Sequence, residues 1–235
     1  SEKFEDKNIF IFKSSERVSS VLYFISTISF GSTIAFTLNI LNRSIDTNFS
    51  EEVSILIISF SVFVYSLILY IRTHLIFQHI ALFYTSIFFL GSLGNLIFPN
   101  IEPWSVGLFL IATGLIWGLY TFNDELGPSW LGYLLSTSTM SIGFIILIDD
   151  LLSSNDLLQI ILLISGSIIF VWASIQLSEQ VIFYIGGLGL IINLPRLITE
   201  LLPDNIWPPL ILFLVGGVLV AVGLYLNSIR ENLKK

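Results

Sequence analysis

The sequence predicts an all-α fold, a polytopic transmembrane helical bundle of about eight spans built as two parallel four-helix repeats. Three observations carry that expectation. Of the 235 residues, 54% are hydrophobic and only 11% charged, where a soluble domain carries roughly 25% charged residues. The apolar residues lie in runs near 20 long, the length that crosses a bilayer, so no polar face is left to solvate a globule. The third is an echo. Asn100 to Tyr120 (NIEPWSVGLFLIATGLIWGLY) and Asn205 to Tyr225 (NIWPPLILFLVGGVLVAVGLY) align without a gap. They share Asn-Ile, a proline at 103 and 208, and a closing Gly-Leu-Tyr.

Residues 1–17 are mixed in charge around a short apolar patch, Ile9 to Phe12. They lack the basic head of a signal peptide and are expected to lie at the membrane interface. The first span is expected from about Val18 to Leu41, followed by the acidic loop Asn42 to Glu52. The second, Val53 to Ile71, turns at Arg72-Thr73-His74 into the third, Leu75 to Phe98. Pro99 and Pro103 bracket the next turn, because the residue before a proline is pushed out of the helical region. The fourth span is Ser105 to Phe122, completing a first repeat over 18–122.

Residues 123–129 (NDELGPS) form a polar linker, and the second repeat, 130–227, follows the same plan. Its spans are Trp130 to Ile148, Leu157 to Leu177, Val181 to Leu202 and Trp207 to Asn227. Pro195 lies inside the seventh and removes one backbone hydrogen bond there, so a kink is expected. Residues 228–235 are a basic tail. Other positions support the duplication at a shift of roughly 105 to 110. Tyr23, Ser26 and Thr27 fall on Tyr133, Ser136 and Thr137, and Ile76-Phe77 falls on Ile182-Phe183.

Lysine and arginine orient the spans, since positive loops stay cytoplasmic. With an even number of spans, Lys3, Lys7, Lys13, Arg17, Arg72, Arg230, Lys234 and Lys235 share one face; Arg43 and Arg196 fall on the other. Both termini are therefore expected in the cytoplasm, in a bacterial inner (plasma) membrane or an organellar one. Asp46, Glu51, Glu52, Glu102, Asp149, Asp150, Asp156, Glu200 and Asp204 map outside and account for the net charge of −7. An acidic outer face concentrates cations or simply keeps the surface solvated. The acidic balance argues against nucleic acid as a partner.

Chemistry-bearing residues are few. There are no cysteines, hence no disulfides, thiolate ligands or cysteine nucleophiles. No lysine lies in a span, which excludes a retinal Schiff base, and no carboxylate lies in a span interior. No HExxH, GxSxG or P-loop motif is present. The chain is therefore expected to have no catalytic residues and no metal site; two histidines without partner acids are too few for one. The candidate polar pocket consists of Gln78 and His79 near the start of the third span, and Asn193, Arg196 and Glu200 on the seventh. Arg196 and Glu200 are four apart and can pair on one helix face.

Small residues mark the expected packing seams, because in lipid they let helix backbones approach closely. Gly114 with Gly118 is a GxxxG pair, and Gly217 with Ala221 its counterpart; Ser29 with Thr33 and Thr139 with Gly143 repeat the spacing. Trp104, Trp130 and Trp207 sit at span ends as interfacial anchors do. Trp117 and Trp172 lie deeper and are expected to pack between helices.

The run Pro208 to Gly217 (PPLILFLVGG), with Gly223-Leu-Tyr and the basic tail from Arg230, resembles the C-terminal span of bacterial multi-pass membrane proteins of unknown function. The resemblance covers that helix and tail, and implies no functional residue. Two functions are compatible with the sequence. One is a non-enzymatic membrane subunit or scaffold binding partner helices, lipids or apolar cofactors, or associating with itself. The other is a transporter or channel for a neutral or amphipathic small molecule, with a cavity between the halves. No particular cofactor is indicated.

Overall fold

In the computed structural model, residues 14–44, 50–123, 125–201, 216, 217 and 220 are described. Seven helices follow in chain order: α1 (Ser14–Ser44), α2 (Glu51–Thr73), α3 (Ile76–Ile97), α4 (Pro103–Phe122), α5 (Ser129–Leu151), α6 (Asp156–Leu177) and α7 (Gln180–Leu201). All seven are long and apolar enough to cross a membrane. A helix of 20 residues spans about 30 Å, the thickness of the hydrocarbon core. The chain is thus an integral membrane protein. The expected eighth span, Trp207 to Asn227, lies outside the described residues, as does most of the 1–17 segment.

Local chemistry sets the helix ends. The Ser50 hydroxyl accepts from the Val53 N–H at the start of α2, and the Asn155 side chain accepts from the Leu158 N–H at the start of α6. These are N-caps, satisfying donors that the first helical turn leaves open. Pro103 opens α4, where its missing N–H costs nothing. α2 and α6 close on residues in the left-handed region, His74 (φ 49°) and Ser178 (φ 55°). That conformation is uncommon for residues other than glycine, and it reverses the chain tightly into α3 and α7.

The helices form two compact units, one within 1–100 and one within 101–235. The first holds α1, α2 and α3, with Tyr70, Ala81, Leu82 and Phe83 buried. The second holds α4 to α7 around Leu131, Tyr133, Leu135, Ile160, Val171, Ile182 and Phe183. The packing boundary falls before α4. The reason is local: α4 and α5 are pressed together by glycines on both helices. An added Cβ at Gly107 would lie 2.7 Å from the Gly143 carbonyl oxygen, and one at Gly143 only 2.6 Å from that of Gly107.

Candidate functional site

The polar residues singled out from the sequence fall on two helices. Gln78 and His79 belong to α3 in the first unit; Asn193, Arg196 and Glu200 belong to α7 in the second. α7 runs through Pro195 as one helix from Gln180 to Leu201. Asn193 is buried, and its Nδ2 donates to the Gly189 carbonyl at 2.8 Å. Arg196 and Glu200 are both exposed, and among the described residues no ion pair joins them.

Gln78 is the centre of a small hydrogen-bonded clasp. α3 begins after Leu75, whose side chain offers no acceptor for the helix's first donors. Ser20, on α1, supplies it. The Phe77 N–H donates to Ser20 Oγ at 3.3 Å, and Ser20 Oγ donates to Gln78 Oε1 at 3.4 Å. Gln78 Nε2 returns a bond to the Ser20 carbonyl at 3.2 Å. A capping box normally pairs a serine and a glutamine three residues apart in one chain segment. Here the serine comes from another helix. Both side chains are buried, so the clasp fixes α1 against the start of α3.

His79, next along α3, is fully buried. Its ring lies 5.5 Å from that of Tyr70 on α2, which in turn is 5.4 Å from the exposed His74 at the turn. The buried face of α2 consists of Ser59, Ser66 and Tyr70, an all-hydroxyl row in which Tyr70 meets His79 and Ser59 meets Ser92. This is a packing seam and not an open polar path. Ser66 and Ser86 each donate to a carbonyl of their own helix, while Ser59 and Ser92 meet at 2.6 Å, one donating to the other and the second to its own helix.

The other hairpins use different small residues for the same purpose. Gly114 faces Met140 and the Ser136 carbonyl, and the Ser136 hydroxyl donates to the Gly114 carbonyl at 2.7 Å. Gly118 meets the Ser136 hydroxyl. In the α6–α7 hairpin, Gly186 faces the Ser167 carbonyl and Gly189 the Ser167 hydroxyl. Thr139 and Gly143 also face inward on α5. The expected Ser29–Thr33 seam does not: both are exposed, and the Thr33 hydroxyl bonds back to Ser29. Gly217 is exposed, and Ala221 lies outside the described residues.

Of the tryptophans, Trp117 is buried as expected, while Trp172 is 61% exposed on α6. A deep position along a span says nothing about which face the residue occupies, since lipid accepts an indole as readily as a neighbouring helix does. Trp104 lies at the α4 N-terminus with its indole N–H on Glu102, and its backbone N–H donates to Asp150 at 3.1 Å. That carboxylate ties the end of α5 to the start of α4, where a negative charge also meets the positive end of the helix dipole. Trp207 is outside the described residues.

The first unit contains an apolar cleft of about 390 Å³ between α1, α2 and α3, lined by Thr27, Gly31, Val62, Ala81 and Thr85 among others. Three of its hydroxyls are turned to their own helices: Thr27 donates to Tyr23, Ser32 to Ile28 and Thr85 to Ala81. The cleft therefore presents hydrocarbon and no open hydrogen-bonding group from these three. Among the described residues no cluster of histidines and acids has the makings of a metal site. The architecture defines a class, a helical integral membrane protein with short turns. Comparison with protein-family models, with curated proteins and with solved structures finds no match for this chain.

Proposed function

We propose that this protein is a non-enzymatic integral membrane subunit or scaffold, whose apolar outer faces bind partner helices or lipids, or a second copy of itself. One observation carries this. The side chains that sequence alone marked as a polar pocket are each engaged within their own unit or exposed: Gln78 in the clasp with Ser20, Asn193 on the Gly189 carbonyl, Arg196 and Glu200 exposed on α7. Small and polar residues instead line the helix–helix seams, while Phe60, Ile71, Phe88, Leu115 and Trp172 face outward. In a bilayer, such seams build a rigid bundle, and the outward faces are what a partner meets.

The proposal includes two related halves with both termini cytoplasmic. The α2–α3 and α6–α7 hairpins support the relation, since each opens on a polar N-cap and turns on a left-handed residue other than glycine. The arginine and lysine distribution supports the orientation. Extraction in mild detergent followed by native mass spectrometry tests the function. A stable complex with another membrane chain or with itself is expected. A lone chain carrying a polar metabolite would instead favour a transporter.

A further inference from the structure

We infer that the cleft in the first unit seats one acyl chain of a membrane phospholipid, laid along α1, α2 and α3 and held without regard to its head group. The inference deepens the lipid-binding part of the proposed function and rests on it, since the cleft has to face hydrocarbon.

The cleft is straight because its walls are helical stripes. On α3 it is lined by Ala81, Tyr84, Thr85 and Phe88, the i, i+3, i+4, i+7 spacing of one helix face. The α1 lining repeats that spacing from Phe24 to Ser32, and Ile58 and Val62 stand one turn apart on α2. At 1.5 Å per residue the α1 and α3 stripes run for about 10–12 Å. A groove along transmembrane helices follows the bilayer normal, which is the mean direction of the lipid tails. Ala81 is the first α3 residue in it, about 8 Å along the helix from Ile76. The cleft therefore lies at the depth of the tails and not of the head groups. Nearer the His74 turn, α1 and α3 close on each other through the Ser20–Gln78 clasp and through Phe24 on Phe77, ring centroids 5.9 Å apart. That end is filled by protein, so a chain enters from the side and its head group is not read.

The lining chemistry excludes the other occupants. Thr27, Ser32 and Thr85 donate to carbonyls of their own helices. The remaining hydroxyl of the lining belongs to Tyr84, a side chain 60% exposed. An ordered water needs two to four polar partners, and a polar metabolite would leave its own groups unpaired here. An empty cleft would forfeit the dispersion contacts of its walls. A partner helix is too thick, because about 390 Å³ holds only about one turn of a cylinder 10 Å across. Ile28, Tyr84 and Phe88 line the cleft and are each at least half exposed. The cleft is thus continuous with the outward apolar surface, and lipid tails reach it directly.

The test is photolabelling of the full-length protein in nanodiscs of phosphatidylcholine, part of it carrying a diazirine midway along one acyl chain, with adducts mapped by mass spectrometry. Ile58 and Val62, half-buried in the lining, should be labelled along with the outward residues Phe60 and Ile168, and the fully buried Ser66 should not. Thr85→Phe fills the cleft and removes no bond between helices. It should abolish the label at Ile58 and Val62 and leave Phe60 and Ile168 unchanged. Ser32→Phe, at an exposed lining position, should do the same and serves if Thr85→Phe fails to fold. Label on Phe60 and Ile168 without label on Ile58 and Val62 would overturn the inference alone. No label on any of the four would overturn the membrane reading beneath it, whereas the scaffold reading stands or falls on the native mass spectrum. Label at Ile58 and Val62 that survives both substitutions would also overturn the inference. A phosphatidylglycerol probe should give the same adducts, and a different pattern would contradict indifference to the head group.

Discussion

Ser20 caps a helix it does not belong to. Its hydroxyl accepts the Phe77 N–H at the start of α3, and Gln78 answers by bonding the Ser20 carbonyl, although the two residues are 58 positions apart. The pair replaces a cap that Leu75 cannot provide, and in doing so joins the first helix of the chain to the third.

Replacing Ser20 with alanine should destabilise the first unit by about 1–2 kcal/mol. Loss of an N-cap costs roughly 0.5–2 kcal/mol, and a buried amide left without its partner about 1–3. Interhelical hydrogen bonds in membranes average nearer 0.6 kcal/mol, which keeps the estimate low in that range. Denaturation of Ser20→Ala, Gln78→Leu and the double variant in mixed micelles checks it. The single losses should be less than additive when combined, because each removes the same bonds.

Glycine substitutions should divide sharply by position. Gly107→Ala and Gly143→Ala would each put a methyl group against backbone of the facing helix, and overpacking of this kind costs about 1–3 kcal/mol. Gly91→Ala and Gly94→Ala meet nothing within 4 Å and should be neutral or stabilising, by up to about 1 kcal/mol. Thermal unfolding of the four variants in one detergent separates the two groups.

Burial in the α6–α7 turn pushes the Glu179 carboxyl above its ordinary 4.5. The native state then holds this proton to higher pH than the unfolded chain does. Stability from this site is therefore greatest at low pH and declines as pH rises from 4.5 through the raised native value. Glu179→Gln should flatten that decline, leaving the midpoint unchanged at pH 4 and raised at pH 7. Since the group is partly exposed, solvent screening keeps the effect small. Midpoints measured across that pH range decide it.

Asp150 should matter more than Asp149. Only Asp150 accepts the Trp104 N–H, so Asp150→Ala should loosen the start of α4 while Asp149→Ala leaves it intact. Amide hydrogen exchange at residues 104–106 distinguishes them, with faster exchange expected in the first variant alone.

The helices were legible because hydropathy and punctuation agree. Pro103, the Arg72-Thr73-His74 turn and the Ser178-Glu179-Gln180 turn fall within a few residues of the helix ends. Which face of each helix packs was much less so. In water, apolar residues point inward and reveal the buried face; in lipid they are at home on either side. α2 buries Ser59, Ser66 and Tyr70 and exposes Phe60, Ile68 and Ile71, so only its small and polar residues carry the signal. Gly114 and Gly118 both meet Ser136 of α5. The Ser20–Gln78 clasp had no local signature, because its partners are joined by tertiary packing alone. Trp172 misled for the same reason: depth was readable and direction was not.

All of this requires the described helices to cross a bilayer in alternating directions. Single cysteines in the otherwise cysteine-free chain, at Ser50, Arg72, Asn100, Asn123, Ser153 and Ser178, probe that directly with a membrane-impermeant maleimide on sealed vesicles. Arg72, Asn123 and Ser178 should label from one face, and Ser50, Asn100 and Ser153 only from the other. Two consecutive turns labelling from the same face would contradict the account.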